Sequence, residues 1–157
     1  MDKAERGLLI DENTLPPIVE ILRRLKVTSM SRSVLLVGRG GHVLASEGDV
    51  TNRDVVSISS LIAGHFAAAE EIGRLSGDHN FHTVHIEGGE SDLLICRAGG
   101  ILICSMFDER TTVGLVRLRT KKAAREIEAL LGGDAYSPKS GVILDIITDE
   151  DIDGLFN

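Results

Sequence analysis

At 157 residues the chain has the length of one ordinary domain, large enough to bury a core without staples. Its two cysteines are too few for the disulfide framework of a small secreted protein, and they form no Cys-x-x-Cys pair. Most of the net charge of −7 sits at one end: residues 134–157 carry six acids against Lys139 alone, leaving 16 basic and 18 acidic residues elsewhere. A body that is itself slightly acidic, with one strongly acidic end, argues against nucleic acid, whose phosphates need Lys and Arg.

The start of the chain, from Met1 to about residue 13, is a polar leader without the apolar run of a signal peptide. No stretch reads as an uninterrupted apolar span of about 20 residues, so the expectation is a cytoplasmic protein with no membrane insertion. Thr14 is placed to cap a helix whose first turn holds Pro16 and Pro17, where a missing N–H costs little. Ile18, Leu22 and Leu25 supply its apolar face, with Val19 and Ile21 beside them. Residues 33–37 then read as a strand, Gly38-Arg39-Gly40-Gly41 as a turn, and residues 42–45 as the hairpin partner.

A long helix follows over residues 51–76, with Thr51 and Asp54 spaced as a capping box. One face is expected to carry Val55, Ile58, Leu61, Ile62, Phe66, Ile72 and Leu75. Another carries Ser57, Ser60, Gly64, Ala67, Ala68 and Glu71, a stripe of small residues ending in an acid. Such a stripe lets a second backbone approach closely; its bland alternative is a neutral, solvated outer face. Three strands come next, over residues 81–87, 91–97 and 101–107, separated by Gly88-Gly89 and Gly99-Gly100. The last is nearly all apolar, as a strand covered on both faces should be. Residues 113–119 alternate like a strand, but 121–131 are strongly helical, so the whole is read as a final helix stopped by Gly132-Gly133. The order helix-strand-strand-helix-strand-strand-strand-helix predicts an α+β fold. It is an α/β/α sandwich around a five-stranded antiparallel sheet, of the profilin-like kind.

Residues 134–141 read as a linker and residues 142–157 as an acidic amphipathic segment. Thr148 and Asp151 have capping-box spacing, and Ile147 and Ile152 occupy the two positions of a hydrophobic staple. Asp149, Glu150 and Asp151 fall in the first turn, where the helix dipole favours anions. Ile152, Leu155 and Phe156 share a face. So short a helix is marginal alone, which points to docking in a partner's groove. Folding back on its own domain or on a dimer mate is the alternative.

Other features carry less. Arg117, Arg119, Lys121, Lys122 and Arg125 read first as a solvated helix face, second as a receiver for an acidic partner, including this chain's own tail. His79, His82 and His85 tempt a metal reading, but on a strand residues 82 and 85 point to opposite faces, so no metal is expected. The Gly-Arg-Gly-Gly run precedes a strand and lacks the Lys and Ser/Thr of a phosphate loop. Cys96 and Cys104 read as small core residues, and no Ser/His/Asp or paired-carboxylate set declares itself.

The runs Ser33-Val-Leu-Leu-Val-Gly-Arg-Gly-Gly41, Ser60-Leu-Ile-Ala-Gly-His65 and Arg110-Thr-Thr-Val-Gly-Leu-Val-Arg-Leu-Arg-Thr-Lys-Lys-Ala123, with the element order, resemble the Roadblock/dynein-light-chain family over about residues 14–131. The tail from Ile147 to Phe156 narrows the resemblance to bacterial polarity and gliding-motility members; Glu70 and Glu71 depart from their pattern. The resemblance implies a Roadblock domain at residues 14–133 in a homodimer that binds a Ras-like small GTPase. The partner's GTP hydrolysis is stimulated by reshaping its switch regions, with no cofactor and no active site of the chain's own. Ser57, Ser60, Gly64, Ala67, Ala68 and Glu71 would form the dimer and GTPase helix. Ile147, Ile152, Leu155 and Phe156 would anchor a docking segment that tunes nucleotide exchange. Further polarity proteins are candidate partners.

Arg39, Arg53 and Arg110 lie near loops, but the resembled proteins insert no arginine, so each should be replaceable by Ala with most activation kept. The competing expectation is an adaptor scaffold that assembles a complex without affecting GTP turnover. A small-molecule sensor or enzyme would need a pocket or catalytic set that the sequence does not show.

Overall fold

A computed structural model describes residues 10–50 and 52–132 of the chain. Among these residues three helices and five strands follow in the order α1 (Leu15–Ser29), β1 (Ser33–Gly38), β2 (Val43–Gly48), α2 (Asn52–Ser76), β3 (Thr83–Ile86), β4 (Asp92–Ala98), β5 (Ile101–Phe107) and α3 (Val113–Leu130). The expected order and the antiparallel five-stranded sheet are both present, with strand order β2-β1-β5-β4-β3. The strand expected over residues 81–87 is shorter, and the one expected over 42–45 runs on to Gly48.

The sheet alternates cleanly because strand side chains have a period of two. On β1 and β5, Val34, Leu36, Ile101 and Ile103 face α1 and α3, whose Ile18, Leu22, Leu25, Ala123, Ala124 and Ile127 complete that core. Leu35, Val37, Leu102 and Cys104 face the other way, onto Val55, Ile62, Ala63 and Phe66 of α2. All of β1 is buried, as befits a strand with neighbours on both edges and helices on both faces.

Two expectations about α1 and α3 need correction. Thr14 is helical and makes no side-chain cap. The Asp11 carboxylate instead accepts from the amides of Asn13 and Thr14 at 2.9 Å each, an Asx turn that leads into the proline-started helix. Arg119, expected on a solvated face with its basic neighbours, is only 7% exposed. It lines the cleft between α3 and α1, beside Ile21, Leu25 and Thr28, while the neighbouring Thr120 faces the sheet with its hydroxyl 3.2 Å from that of Ser105. Of the expected basic run, Arg117 alone is well exposed.

At the end of α1 the chain reverses through Met30, which holds φ +57°, the left-handed region where glycine is favoured. The amides of Met30 and Ser31 close the last turn on the carbonyls of Val27 and Lys26. The helix α3 starts on Thr112, whose hydroxyl accepts from the Leu115 amide at 3.3 Å.

Candidate interaction surface

The helix α2 carries two apolar faces where one was expected. Val55, Ser59, Ile62, Ala63 and Phe66 are buried against the sheet. Leu61, Ile72 and Leu75, expected among them, point outward with 72%, 60% and 72% exposure, joined by Val56 at 67%. The reason is angular: at about 100° per residue, positions 57, 61, 64, 68, 72 and 75 stack along one side of a helix, away from 55, 62 and 66. The three large side chains therefore belong with Ser57, Gly64 and Ala68, and they turn the stripe of small residues into an apolar surface. Spacings of four, three, four, four and three carried that signal in the sequence.

The expected interaction residues are all exposed or partly so, and none is buried: Ser57, Ser60, Gly64, Ala67, Ala68 and Glu71. Among the described residues Gly64 has no neighbour within 4 Å of where a Cβ would sit, so no contact with them requires glycine there. A glycine in a helix interior costs about 1 kcal/mol relative to alanine, and this one gives no packing against the described residues in return. Glu71 is not idle: Arg74 Nε donates to it at 3.0 Å, and that guanidinium holds the carboxyl below its ordinary range.

Around this surface the sheet is only half covered. The helix α2 lies over β1 and β2. Further across the same face, Val84, Ile86, Leu93 and Met106 pack against the α2 core yet remain only partly buried. The edge strand β3 bounds this strip.

The β1–β2 turn is fastened to α2 from behind. Gly41, at φ +90°, packs against Ser60, with 3.1 Å between a would-be Cβ and the Ser60 Cα. The Ser59 hydroxyl donates to the Gly41 carbonyl at 2.9 Å. Arg39 donates twice to Glu70, at 2.8 and 2.9 Å, and Arg97 reaches the same carboxylate at 3.4 Å. Glu70, a departure from the resembled pattern, thus clamps hairpin and sheet to the helix. Of the arginines weighed as fingers, Arg39 is held by Glu70 and Arg110 by Asp108, at 3.0 Å. The side chain of Arg53, the Thr51 cap, and the anchors Ile147, Ile152, Leu155 and Phe156 lie outside the described residues.

The histidines separate. His85 bonds Asp92 at 2.7 Å and stacks on Phe107, whereas His82 lies 3.4 Å from Arg97. Among the described residues no group of three or more His, Cys, Asp and Glu side chains is placed to hold an ion. Cys96 and Cys104 are buried, and burial pushes their thiols up to about 11 and about 12. By length and composition α2 is apolar enough to cross a bilayer, against the expectation that no segment was. Its inner face, however, is fitted to a sheet.

Comparison with known proteins agrees with this geometry. The Roadblock/LC7 domain model matches residues 17–107. Myxococcus xanthus MglB superposes with a TM-score of 0.71 at 34% identity, covering 76% of this chain and 97% of that one. An MglB with a tetrameric arrangement gives 0.69 at 27% identity, over 74% and 88%. The gliding protein MglB of Thermus thermophilus gives 0.67 at 25% identity, over 83% and 93%.

Proposed function

This chain belongs to the Roadblock/LC7 domain family, and from that premise we infer that it is a homodimeric regulator of a Ras-like small GTPase of the MglA type. The observation that carries the inference is the outward face of α2. Three large apolar side chains, each at least 60% exposed, flank a glycine and alanines that allow close approach. Burying a Leu or Ile side chain is worth about 1.5–3 kcal/mol, so leaving three in water makes little sense for an isolated domain. A two-fold dimer sets the same patch against itself. A second α2 crossing here also covers the half-buried strip of Val84, Ile86 and Leu93. The MglB solved in a tetrameric arrangement is a similar protein that self-associates.

The paired helices then form a platform for the GTPase, with Ser57, Ser60, Gly64, Ala67, Ala68 and Glu71 at the contact. The regulator accelerates GTP hydrolysis by reshaping the switch regions of its partner. It needs no inserted arginine, in keeping with the engagement of Arg39 and Arg110 by acids of their own chain. The Roadblock domain occupies residues 14–133, and residues 142–157, joined by a linker at 134–141, tune nucleotide exchange. The protein works in the cytoplasm in cell polarity or motility.

Sedimentation of the purified chain, followed by GTP turnover of a cognate GTPase with and without it, tests the proposal. A dimer that speeds turnover supports it. Gly64→Arg or Ala67→Arg should block the complex by steric intrusion, and normal binding by those variants would remove the platform. A dimer that binds the GTPase yet leaves turnover unchanged would establish the adaptor instead.

A further inference from the structure

A second exposed apolar patch lies on the opposite side of the sheet, at the C-terminal end of α1. Val27 is 67% exposed and Met30 49%. They line a groove of about 400 Å³ with Lys26, Arg32, Asp49 and Arg110. Lys26, Arg32 and Arg110 surround an apolar floor together with Asp49, while Asp108 engages Arg110 at 3.0 Å and Arg32 at 4.0 Å and Glu109 also acts on Arg110, so an anionic occupant competes with these acids for the two arginines.

Met30 makes this groove unusual. A left-handed C-cap is a glycine position, and a non-glycine residue there costs about 1–2 kcal/mol. The methionine recovers little of that by burial, since half of its surface meets solvent. A flexible thioether held in a strained position and presented to an open groove is the kind of adaptable surface that receives an amphipathic helix.

We propose that this groove is the resting site of the chain's own C-terminal segment, residues 147–157. The chemistry matches on both counts. Ile152, Leu155 and Phe156 supply apolar anchors for Val27 and Met30, while Asp149, Glu150, Asp151 and Asp153 supply anions for Lys26, Arg32 and Arg110. The reach also suffices. Arg110 lies three residues before α3, so the groove sits at the start of that helix. The 18 residues of α3 carry the chain about 27 Å away from it. The 14 residues from 133 to 146 can span up to about 46–50 Å, enough to return. This inference goes beyond the GTPase reading and does not rest on it. Where both hold, the tail is available to a partner only in competition with its own groove.

The full chain contains three methionines, Met1, Met30 and Met106, so methyl-labelled methionine gives three signals of which Met30 reports the groove. In the full-length protein, Leu155→Ser with Phe156→Ser should move the Met30 methyl signal and leave Met106 in place. Added peptide 142–157 should return it. A peptide with Asp149→Asn, Glu150→Gln, Asp151→Asn and Asp153→Asn should bind roughly tenfold more weakly, or worse, and the intact peptide should lose affinity with added salt. Arg32→Glu with Arg110→Glu should weaken the intact peptide similarly. An unchanged Met30 signal in the tail variant would overturn the proposal. So would a signal that moves only on dilution, which would assign the groove to a second copy, or equal binding of the neutralised peptide. No GTPase enters the experiment, so its result is separate from that of the turnover assay.

Discussion

The two faces of the sheet are finished to different degrees. One receives two helices: α1 and α3 lie side by side, bridged by the Arg24–Glu126 ion pair, and close over a core that includes Leu22, Ile103 and Ile127, all fully buried. The other receives, among the described residues, α2 alone, which covers β1 and β2, leaves the residues toward β3 partly wet, and turns Leu61, Ile72 and Leu75 outward. Apolar content therefore does not distinguish them, because both are rich in aliphatic side chains. What differs is coverage, and coverage decides which apolar residues lie inside the fold and which remain at its surface.

That contrast yields predictions of decreasing size. Phe66→Ala, beneath α2, should cost about 3–5 kcal/mol in chemical denaturation. Leu61→Ala, five residues earlier on the outer side, should change the unfolding of the dissociated monomer by no more than about 0.5 kcal/mol. Equal losses would erase the distinction between the two faces of α2. Sedimentation equilibrium of Leu61→Ala with Leu75→Ala should next show dimer dissociation raised by roughly tenfold or more, from lost apolar burial. An unchanged dissociation constant would place association elsewhere.

Met30→Gly should stabilise the chain by about 1 kcal/mol, since the left-handed turn then meets no Cβ. A melting temperature that falls would show that the methionine contributes to the closed face after all. The smallest effect concerns His82, whose folded-state pKa is depressed below 6.5, first by burial and then by the nearby positive charges of Arg97 and Lys121. Folding favours its neutral form, so its contribution is complete above the ordinary value and is lost as pH falls through it toward the folded pKa. Between about pH 7.5 and 5.5 the wild type should lose more thermal stability than His82→Asn, and an identical slope would remove the histidine from the balance.

Most of the architecture is legible in the sequence, because strand alternation and glycine turns are local signals. The unbroken apolar run of β5 and the pattern of α3 before Gly132 each give the observed bounds to within a residue. The misplacements arise where position on a surface outweighs residue type. Leu61, Ile72 and Leu75 are apolar, which suggests an inward side chain, although their angular position groups them with Ser57, Gly64 and Ala68. Arg119 is charged, which suggests solvent, although it follows Leu115 and Val116 around the buried side of α3. Thr14 has the composition of a cap, but Asp11, three residues earlier, reaches the free amides first. The clamp of Glu70 on Arg39 and Arg97 leaves no local trace, since it joins residues 31 and 27 positions apart.

The two cysteines have a practical consequence. With their thiols enclosed and kept protonated well above neutral pH, neither Cys96 nor Cys104 presents a thiolate to alkylating reagents or oxidants. The chain contains no other sulfhydryl, so it behaves chemically as a cysteine-free protein while folded. A single cysteine engineered into the outer side of α2 would be the one site to accept a spin label or fluorophore, without first rebuilding the interior.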